Sequence, residues 1–250
     1  MSKIALITGA TSGIGKATAE AFAKQNINLI LCGRRQERLD ELSEKLSEKV
    51  EVETLIFDVR SYDEVENALN SLSDKWREVD ILVNNAGNAH GFSTIDEGSV
   101  ADWDAMIDGN VQGLLYVSKL VMPYMVKRKT GHIINLSSVA GKQTYANGAV
   151  YCASKKAVEA ISEGMRLDLT KHGIKVTNIA PGAVETEFSE VRFKNDTERA
   201  AKVYEGYDAL TAEDIADAIL YAVTVPDRVC IADMTIYPKA QSEPSVIHRG

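Results

Sequence analysis

The residues with the clearest chemical meaning are Tyr151 and Lys155, which stand four positions apart. Side chains at that spacing project from the same face of a helix. A tyrosine has an ordinary pKa of about 10, so it exchanges protons at neutral pH only where a nearby cation stabilises the phenolate. Lys155 would supply that cation, and Ser138 precedes the pair. The same spacing also arises by chance on amphipathic helices, so the chemical interpretation depends on the accompanying motifs.

A glycine-rich turn near the N-terminus is the first of these motifs. The apolar run 4–7 leads directly into Thr8-Gly9-Ala10-Thr11-Ser12-Gly13-Ile14-Gly15, and residues 16–24 carry apolar side chains at helical spacing. This order predicts a strand, a tight turn and the N-terminus of a helix, where free N–H groups bind anions. An ordinary glycine-rich turn is the alternative. The position after the first strand of an alternating chain favours a nucleotide-phosphate site.

Length and composition fit one domain that spans residues 1–250. A hydrophobic content of 45% is ample for one core of this size. The formal net charge of −8 argues against a nucleic acid or an anionic membrane as the main partner. The sequence has no charged segment followed by an apolar one at Met1, as a secretory leader would have, and no apolar run approaches the roughly 20 residues needed to span a bilayer. We therefore expect a cytoplasmic protein.

The cysteines and histidines predict no metal centre. The three cysteines are widely spaced and form no CxxC pair, which favours buried reduced thiols: Cys32, Cys152 and Cys230. The four histidines form no HExxH or similar ligand pair: His90, His132, His172 and His248.

Short apolar runs alternate with longer amphipathic stretches, which is typical of βαβ units around a parallel sheet. Seven segments have the composition of strands: 4–8, 28–32, 50–57, 81–83, 132–136, 175–179 and 230–236. We therefore predict an α/β fold with a doubly wound, mostly parallel seven-stranded sheet and helices on both faces. Ligands bind such sheets beyond the carboxyl ends of the strands. In this chain, glycine-rich or polar residues follow those ends: Gly9, Gly33, Asp58, 84–87, 137–138 and 181–182.

Three motifs together resemble the short-chain dehydrogenase/reductase family: Thr-Gly-x-x-x-Gly-x-Gly at 8–15, Asn-Asn-Ala-Gly at 84–87, and Tyr-x-x-x-Lys at 151–155 after Ser138. The resemblance covers the whole chain and implies a single-domain Rossmann fold. By resemblance Tyr151 is the general acid-base, while Lys155 lowers its pKa and binds the nicotinamide ribose. Ser138 hydrogen-bonds the substrate oxygen, and Asn110 bends a helix and holds a water that connects the lysine to solvent. From the residues alone, Asn110 would be a surface residue.

The residues after the second strand predict the cofactor. An NAD enzyme usually places an acidic residue there, whereas this chain has Gly33-Arg34-Arg35. Two guanidinium groups suit a 2′-phosphate, so NADP(H) is favoured over NAD. The alternative is that Arg34 and Arg35 only begin the charged face of the next helix.

The resemblance also assigns the other cofactor contacts. Asp58 and Val59 are expected at the adenine, and the loop 181–186 is expected over the nicotinamide. The complete predicted set is Gly9, Thr11, Ser12, Gly13, Ile14, Gly15, Arg34, Arg35, Asp58, Val59, Asn85, Ala86, Gly87, Tyr151, Lys155, Pro181, Gly182, Val184 and Thr186.

Four segments resemble a narrower group, the NADP-dependent 3-hydroxy acid dehydrogenases: 33–39, 58–60, 186–189 and 191–194. Members of that group oxidise serine, allo-threonine and related acids such as 3-hydroxypropionate, or reduce the matching oxo acids and semialdehydes. They are commonly homotetramers, so the resemblance also implies a homotetramer.

A short hydroxy acid needs a cation for its carboxylate, and the expected substrate loop at about 185–210 contains Arg192. We predict that Ser138, Tyr151 and Arg192 contact the substrate. The alternative for Arg192 is a solvated surface residue.

Two other functions stay open. One is a general NADPH-dependent carbonyl reductase, which the 6% aromatic content disfavours. The other is a noncatalytic dinucleotide sensor, which would have no need of the four catalytic residues.

Overall fold

A seven-stranded parallel sheet forms the centre of the computed structural model, which describes residues 2–250. The strands in chain order are β1 (Ile4–Thr8), β2 (Asn28–Gly33), β3 (Val52–Ile56), β4 (Ile81–Asn84), β5 (Gly131–Leu136), β6 (Ile174–Pro181) and β7 (Asp233–Ile236). They lie in the order β3-β2-β1-β4-β5-β6-β7. A separate antiparallel pair, β8 (Gln241–Glu243) and β9 (Val246–Ile247), follows near the C-terminus. The predicted doubly wound fold is confirmed.

Helices cover both faces of the sheet. They are α1 (Gly13–Ala23), α2 (Gln36–Ser47), α3 (Tyr62–Asn70), α4 (Val100–Ile107), α5 (Gly113–Arg128), α6 (Val139–Lys142), α7 (Ala149–Leu169), α8 (Phe188–Arg192), α9 (Thr197–Lys202) and α10 (Ala212–Thr224). A π-helical segment, Asp108–Gln112, joins α4 to α5, and a 3-10 turn, Thr170–His172, ends α7. Within residues 2–250, no helix has both the length and the apolar character that crossing a bilayer requires.

Two hydrophobic cores result from the alternation of side chains along each strand. Leu6 and Ile133 belong to one core, whereas Ile7 and Ile134 belong to the other. Successive strand residues point to opposite faces, so a strand buried on both faces reads as a continuous apolar run. The sheet is therefore a rigid support, and the loops at its carboxyl edge carry the polar groups.

Two strands begin later than predicted. Strand β3 begins at Val52 rather than at position 50, and β7 begins at Asp233 rather than at position 230. Strand β7 lies at the edge of the sheet, and its ladder with β6 starts only with the pair Asn178 and Asp233. Within residues 2–250, no strand lies on the far side of β7 from β6, so the apolar residues before Asp233 have no second strand to pair with. Cys230 lies in this segment and is exposed, so the prediction of a buried thiol is wrong there.

The strand order reverses between β1 and β4, and this reversal opens the crevice that was predicted at the carboxyl edge of the sheet. Thr8 Oγ1 accepts hydrogen bonds from the backbone N–H groups of Asn85 and Ala86, both at 3.0 Å. The Asn85 side chain donates to the carbonyl of Thr8 at 2.9 Å. Gly9 has a positive φ of 66°, and a Cβ there would lie 2.9 Å from Asn85 Nδ2. These contacts hold the glycine-rich turn against the Asn-Asn-Ala-Gly segment.

His132 makes folding stability depend on pH. The side chain is buried in β5, where Nε2 lies 2.7 Å from Thr177 Oγ1. Burial lowers its pKa from 6.5 to about 3. The unfolded chain binds this proton between those two values and the folded chain does not, so stability is present above pH 6.5 and declines as pH falls toward 3. At pH 5 we expect His132 to cost about 2 kcal/mol of the free energy of unfolding.

The expected result for His132→Gln is a free energy of unfolding that falls less between pH 7 and pH 5 than that of the wild type. Urea unfolding at a series of pH values measures this slope. The exposed His248 provides the matched control, and His248→Gln should keep the wild-type slope. Equal slopes for the wild type and His132→Gln would contradict the assignment.

Candidate active site

Three of the four predicted catalytic residues meet in one cleft at the carboxyl edge of the sheet. Helix α7 carries Tyr151 and Lys155 one turn apart, and both side chains are buried, with 8% and 6% exposed. Ser138 begins α6 at the end of β5, and its Oγ accepts from the N–H of Ala140 at 3.2 Å. The cleft has a volume of about 820 Å³ and contains all three side chains.

Lys155 is held by a backbone carbonyl. Its Nζ donates to the carbonyl of Leu136 at 2.9 Å, and burial lowers the pKa of the ammonium group to about 8. A Cβ on Gly87 would lie 2.8 Å from Asn110 Oδ1 and 3.3 Å from Lys155 Nζ. The glycine therefore keeps the space beside the ammonium group free. Two of the three N–H bonds of Lys155 remain for other acceptors.

Burial dominates the electrostatics of Tyr151. It raises the pKa of the phenol above its ordinary value, and the neighbouring Tyr145 adds to the rise. The nearby Ser138 hydroxyl, which donates to the carbonyl of Pro181 at 3.4 Å, and the charge of Arg192 act in the opposite direction. The pKa-lowering role of Lys155 stays a prediction, and the charge of Arg192 acts in the same direction. The phenol therefore lies between a hydroxyl donor and a guanidinium group.

Asn110 lies behind the cleft and does not line it. It belongs to the π-helical segment between α4 and α5 and is only 2% exposed. Its Oδ1 accepts from the N–H of Asn88 at 2.7 Å, while Nδ2 donates to the carbonyl of Asn88 and to Ser154 Oγ. A π-helical segment shifts the hydrogen-bond ladder and often marks a functional site. The structure shows a buried residue, so the surface position expected from the residues alone is wrong.

The predicted cofactor residues line the same cleft, with one exception. Those at its surface are Gly9, Thr11, Ser12, Gly13, Ile14, Arg34, Arg35, Asp58, Val59, Asn85, Ala86, Gly87, Tyr151, Lys155, Pro181, Gly182, Val184 and Thr186. Gly15 lies behind the turn, where a Cβ would be 2.4 Å from the carbonyl oxygen of Gly9. The absence of a side chain at Gly15 allows α1 to pack closely against the turn.

The turn before α1 fits a phosphate group. Ser12 is the N-cap of α1 in an extended conformation, and its side chain makes no capping bond. The first N–H groups of α1 therefore have no capping partner from Ser12, and they carry the positive end of the helix dipole. Gly13 has a positive φ of 49°, and a Cβ there would lie 3.3 Å from Thr186. The turn thus has the open backbone that a dinucleotide requires.

A cluster of arginines lies beside this turn. Six charged side chains meet there: Arg34, Arg35, Arg38, Arg60, Asp58 and Glu187. Four cations and two carboxylates leave a net charge of +2. A phosphate monoester carries about −1.5 to −2 at neutral pH, so the cluster matches its charge.

Arg35 turns back to the glycine-rich turn and does not extend along the face of α2, which begins at Gln36. Its Nε and Nη2 donate to Thr11 Oγ1 at 3.1 and 2.8 Å, and Nη2 also donates to Ser12 Oγ at 2.8 Å. The alternative in which both arginines only begin a charged helix face is therefore wrong for Arg35. Arg34 is 68% exposed and pairs with Asp58 at 3.5 Å.

Arg192 lies among aromatic rings. Its guanidinium carbon is 5.0 Å from the ring centroid of Phe92, 5.5 Å from that of Tyr151 and 5.7 Å from that of Tyr145. Its Nε and Nη2 are buried and find no hydrogen-bond acceptor within residues 2–250. The alternative of a solvated surface residue is therefore wrong. Buried N–H groups of a cation are costly to leave unpaired, so this position calls for an anionic ligand.

Sequence reasoning missed the aromatic character of this end of the cleft. Phe92, Tyr145, Phe188 and Phe193 all line it, although aromatic residues make up only 6% of the chain. The composition argument against an aromatic pocket is therefore wrong. These residues come from the three segments that follow β4, β5 and β6, and no spacing in the sequence relates those segments. Glu187 and Arg60 were also missed, although both stand in segments that carried the resemblance.

Known proteins resemble the chain over nearly its whole length. The family described as short chain dehydrogenase matches residues 3–197. The NADP-dependent 3-hydroxy acid dehydrogenase YdfG of Salmonella typhi is 45% identical over 249 residues, which cover 99% of this chain and 100% of the relative. Sulfoacetaldehyde reductase 2 of Chromohalobacter salexigens is 42% identical over 243 residues, which cover 97% of this chain and 96% of the relative.

Two solved structures share the fold and the length. The closed form of a serine dehydrogenase complexed with NADP+ has a TM-score of 0.93 at 44% identity and covers 99% of this chain and 100% of that one. A serine dehydrogenase from Escherichia coli has a TM-score of 0.83 at 40% identity and covers 96% of this chain and 99% of that one. The chain therefore belongs to the short-chain dehydrogenase family.

Proposed function

We propose that the protein is an NADP-dependent oxidoreductase that interconverts a short 3-hydroxy acid and the corresponding oxo acid or semialdehyde. The observation that carries the acid assignment is Arg192, whose buried Nε and Nη2 lack an acceptor within residues 2–250 beside the Tyr151 ring. The names of the relatives support the cofactor and the substrate class: one is an NADP-dependent 3-hydroxy acid dehydrogenase, and another is a sulfoacetaldehyde reductase.

Tyr151 and Ser138 would hold the reacting oxygen. In oxidation, the phenolate form of Tyr151 accepts the hydroxyl proton of the substrate, and in reduction the phenol form returns that proton to the oxygen. Ser138 donates a hydrogen bond to the same oxygen where negative charge develops. Lys155, with two N–H bonds free beyond Leu136, holds the ribose and supplies positive charge. When bound, NADP(H) supplies the hydride acceptor or donor.

The remaining predicted roles complete the proposal. Asn110 positions the segment at Asn88 that faces Lys155, and the turn 9–15 holds the diphosphate of the cofactor. Segment 185–210, which includes α8 and α9, is the substrate loop of a single domain at 1–250. By resemblance we also propose a homotetramer in the cytoplasm. Exposed Leu115 and Tyr124 on α5 and Leu167 on α7 offer apolar surface for its contacts.

Arg34 and Arg35 would bind the 2′-phosphate of NADP. We expect Arg34→Gln to raise the KM for NADP about tenfold, since it removes one charge-assisted hydrogen bond from a half-exposed site. The KM for NAD, which lacks this phosphate, should not change. Steady-state kinetics with both cofactors measures the two constants, and the exposed Arg228→Gln is the control. An equal change in both constants would show that Arg34 does not recognise the phosphate.

A general carbonyl reductase is the second candidate, and the aromatic lining formed by Phe92, Tyr145, Phe188 and Phe193 favours it. Aromatic rings around a reacting carbonyl also suit an uncharged aldehyde or ketone. A noncatalytic dinucleotide sensor would bind NADPH without turnover. The buried arginine distinguishes the first candidate, because an uncharged substrate would leave its N–H groups unpaired.

A substrate panel tests the proposal. NADPH formation is followed with L-serine, L-allo-threonine, D-threonine and 3-hydroxypropionate, and NADPH consumption is followed with simple uncharged aldehydes and ketones. Turnover of at least one acid with a clear preference over the uncharged carbonyls would support the hydroxy acid assignment. Turnover of the uncharged carbonyls alone would assign the protein to the general reductases. Cofactor binding with no turnover on either set would favour the sensor.

A further inference from the structure

The N-terminal end of α8 is tied to the arginine cluster. Glu187, the N-cap residue of α8, accepts a hydrogen bond from Arg35 Nη1 at 2.9 Å and another from Arg38 Nη1 at 2.6 Å. Arg35 and Arg38 lie at the start of α2, so these two ion pairs connect segments 152 and 149 residues apart. We call them the Glu187 ion pairs. They join the substrate loop to the part of the cleft that would bind the adenosine 2′-phosphate.

The same short helix carries groups of the substrate site. The Phe188 ring lies 5.8 Å from the Tyr151 ring, and Arg192 ends α8 with its guanidinium group over Tyr151. The carbonyl of Arg192 accepts from the N–H of Gly91 at 3.0 Å, and Lys194 pairs with Asp102 at 3.0 Å. Helix α8 is therefore attached on both sides of the cleft. A change at Glu187 releases one of these attachments.

Arg35 is shared between two functions. Its Nε and Nη2 hold the turn at Thr11 and Ser12, and its Nη1 holds Glu187. Each guanidinium group has five N–H bonds, so little capacity remains for a phosphate unless an existing contact weakens. A 2′-phosphate beside Arg35 and the Glu187 carboxylate would also repel each other, since both are negative. Binding of the phosphate and retention of Glu187 on Arg35 therefore oppose each other.

We propose that Glu187 is a positioning residue that holds α8 over the substrate site and competes with the 2′-phosphate of the cofactor for Arg35. The inference rests on the proposed function in two respects, the placement of that phosphate at Arg34 and Arg35 and the placement of the substrate beside α8. A residue with a merely structural role would not change the binding of the 2′-phosphate. Removal of the Glu187 charge strengthens binding of the 2′-phosphate and weakens attachment of α8, so the two effects have opposite signs.

The variant Glu187→Gln tests both effects, because it keeps the shape of the side chain and removes its charge. Isothermal titration with 2′,5′-ADP measures the phosphate site, and 5′-AMP serves as the ligand without the 2′-phosphate. We expect Glu187→Gln to bind 2′,5′-ADP about three- to fivefold more tightly, as suits half-exposed ion pairs, and to bind 5′-AMP like the wild type. Glu187→Asp, which restores the charge, should return the affinity toward that of the wild type.

Limited digestion with trypsin measures the attachment of α8, since Arg192, Lys194, Arg199 and Lys202 are cleavage sites in this segment. Cleavage there should be about three- to fivefold faster in Glu187→Gln. With L-serine the KM should rise by a similar factor while kcat holds. Glu190→Gln is the matched control, because Glu190 lies exposed on the same helix, and it should behave like the wild type in each assay.

The outcomes separate the inference from the function on which it rests. A wild-type protein that binds 2′,5′-ADP no better than 5′-AMP would overturn the phosphate site itself, and the competition with it. A wild type that prefers 2′,5′-ADP, with a Glu187→Gln variant that binds it equally or less tightly, would overturn only the competition. Unchanged trypsin cleavage in Glu187→Gln would overturn the positioning role.

Discussion

Tyr151→Phe is expected to lower kcat by about a thousandfold or more while NADP binding stays within about twofold of the wild type. The variant keeps the buried ring between Ser138 and Arg192 and removes only the hydroxyl that transfers the proton. Without it no other group is placed to exchange a proton with the substrate oxygen at a useful rate. Steady-state kinetics gives kcat, and titration with NADPH gives the cofactor affinity.

The matched control is Tyr116→Phe, which removes the hydroxyl of a tyrosine on α5 that donates to Gln112. This variant should retain wild-type turnover. The proton-transfer role of Tyr151 is refuted if Tyr151→Phe retains more than a few per cent of the wild-type rate. A parallel loss of NADPH binding would point to a damaged cleft.

Arg192→Met is expected to lower kcat/KM for a hydroxy acid about a hundredfold, mainly through KM, and to change turnover of an uncharged carbonyl much less. The methionine side chain keeps apolar contact with Phe92 and Tyr145 but has no N–H group for a carboxylate. The loss is large because the guanidinium N–H groups are buried, where a charge-assisted hydrogen bond is strong. Kinetics with one acid and one uncharged aldehyde separates the two effects.

Lys194→Met is the control for the loss of a positive charge in the same segment. Lys194 is 62% exposed and pairs with Asp102, away from the aromatic rings around Arg192. The KM of the Lys194→Met variant for the acid should therefore stay within about threefold of the wild type. An unchanged KM in Arg192→Met would show that the acid binds elsewhere. Equal losses in both variants would indicate a general effect of charge.

The fold was predictable because local patterns encode it. Strand β1 reads as a continuous apolar run since it is buried on both faces, and the glycines after it mark a turn that favours glycine at Gly9, where φ is positive. Helix α10 begins with a capping box, in which Thr211 and Asp214 exchange side-chain and backbone hydrogen bonds, and this three-residue spacing is a local signal of the same kind. Such signals depend on a few neighbouring residues.

The substrate end of the cleft was not predictable in this way. Phe92, Tyr145 and Arg192 meet only because the loops after β4, β5 and β6 converge, and no periodicity in the sequence records that contact. The Glu187 ion pairs have the same origin. The sign of the pKa shift at Tyr151 also depends on its burial, which the Tyr-x-x-x-Lys spacing does not reveal. Asn110 was identified by resemblance alone.

The most direct test of the proposed function compares an acid with its uncharged analogue. We would measure kcat/KM with NADP for 3-hydroxypropionate and for 3-hydroxypropanamide, which differ only in the group that would face Arg192. The account predicts a preference for the acid of about a hundredfold, lost in Arg192→Met. Equal turnover of the acid and the amide by the wild type would contradict it.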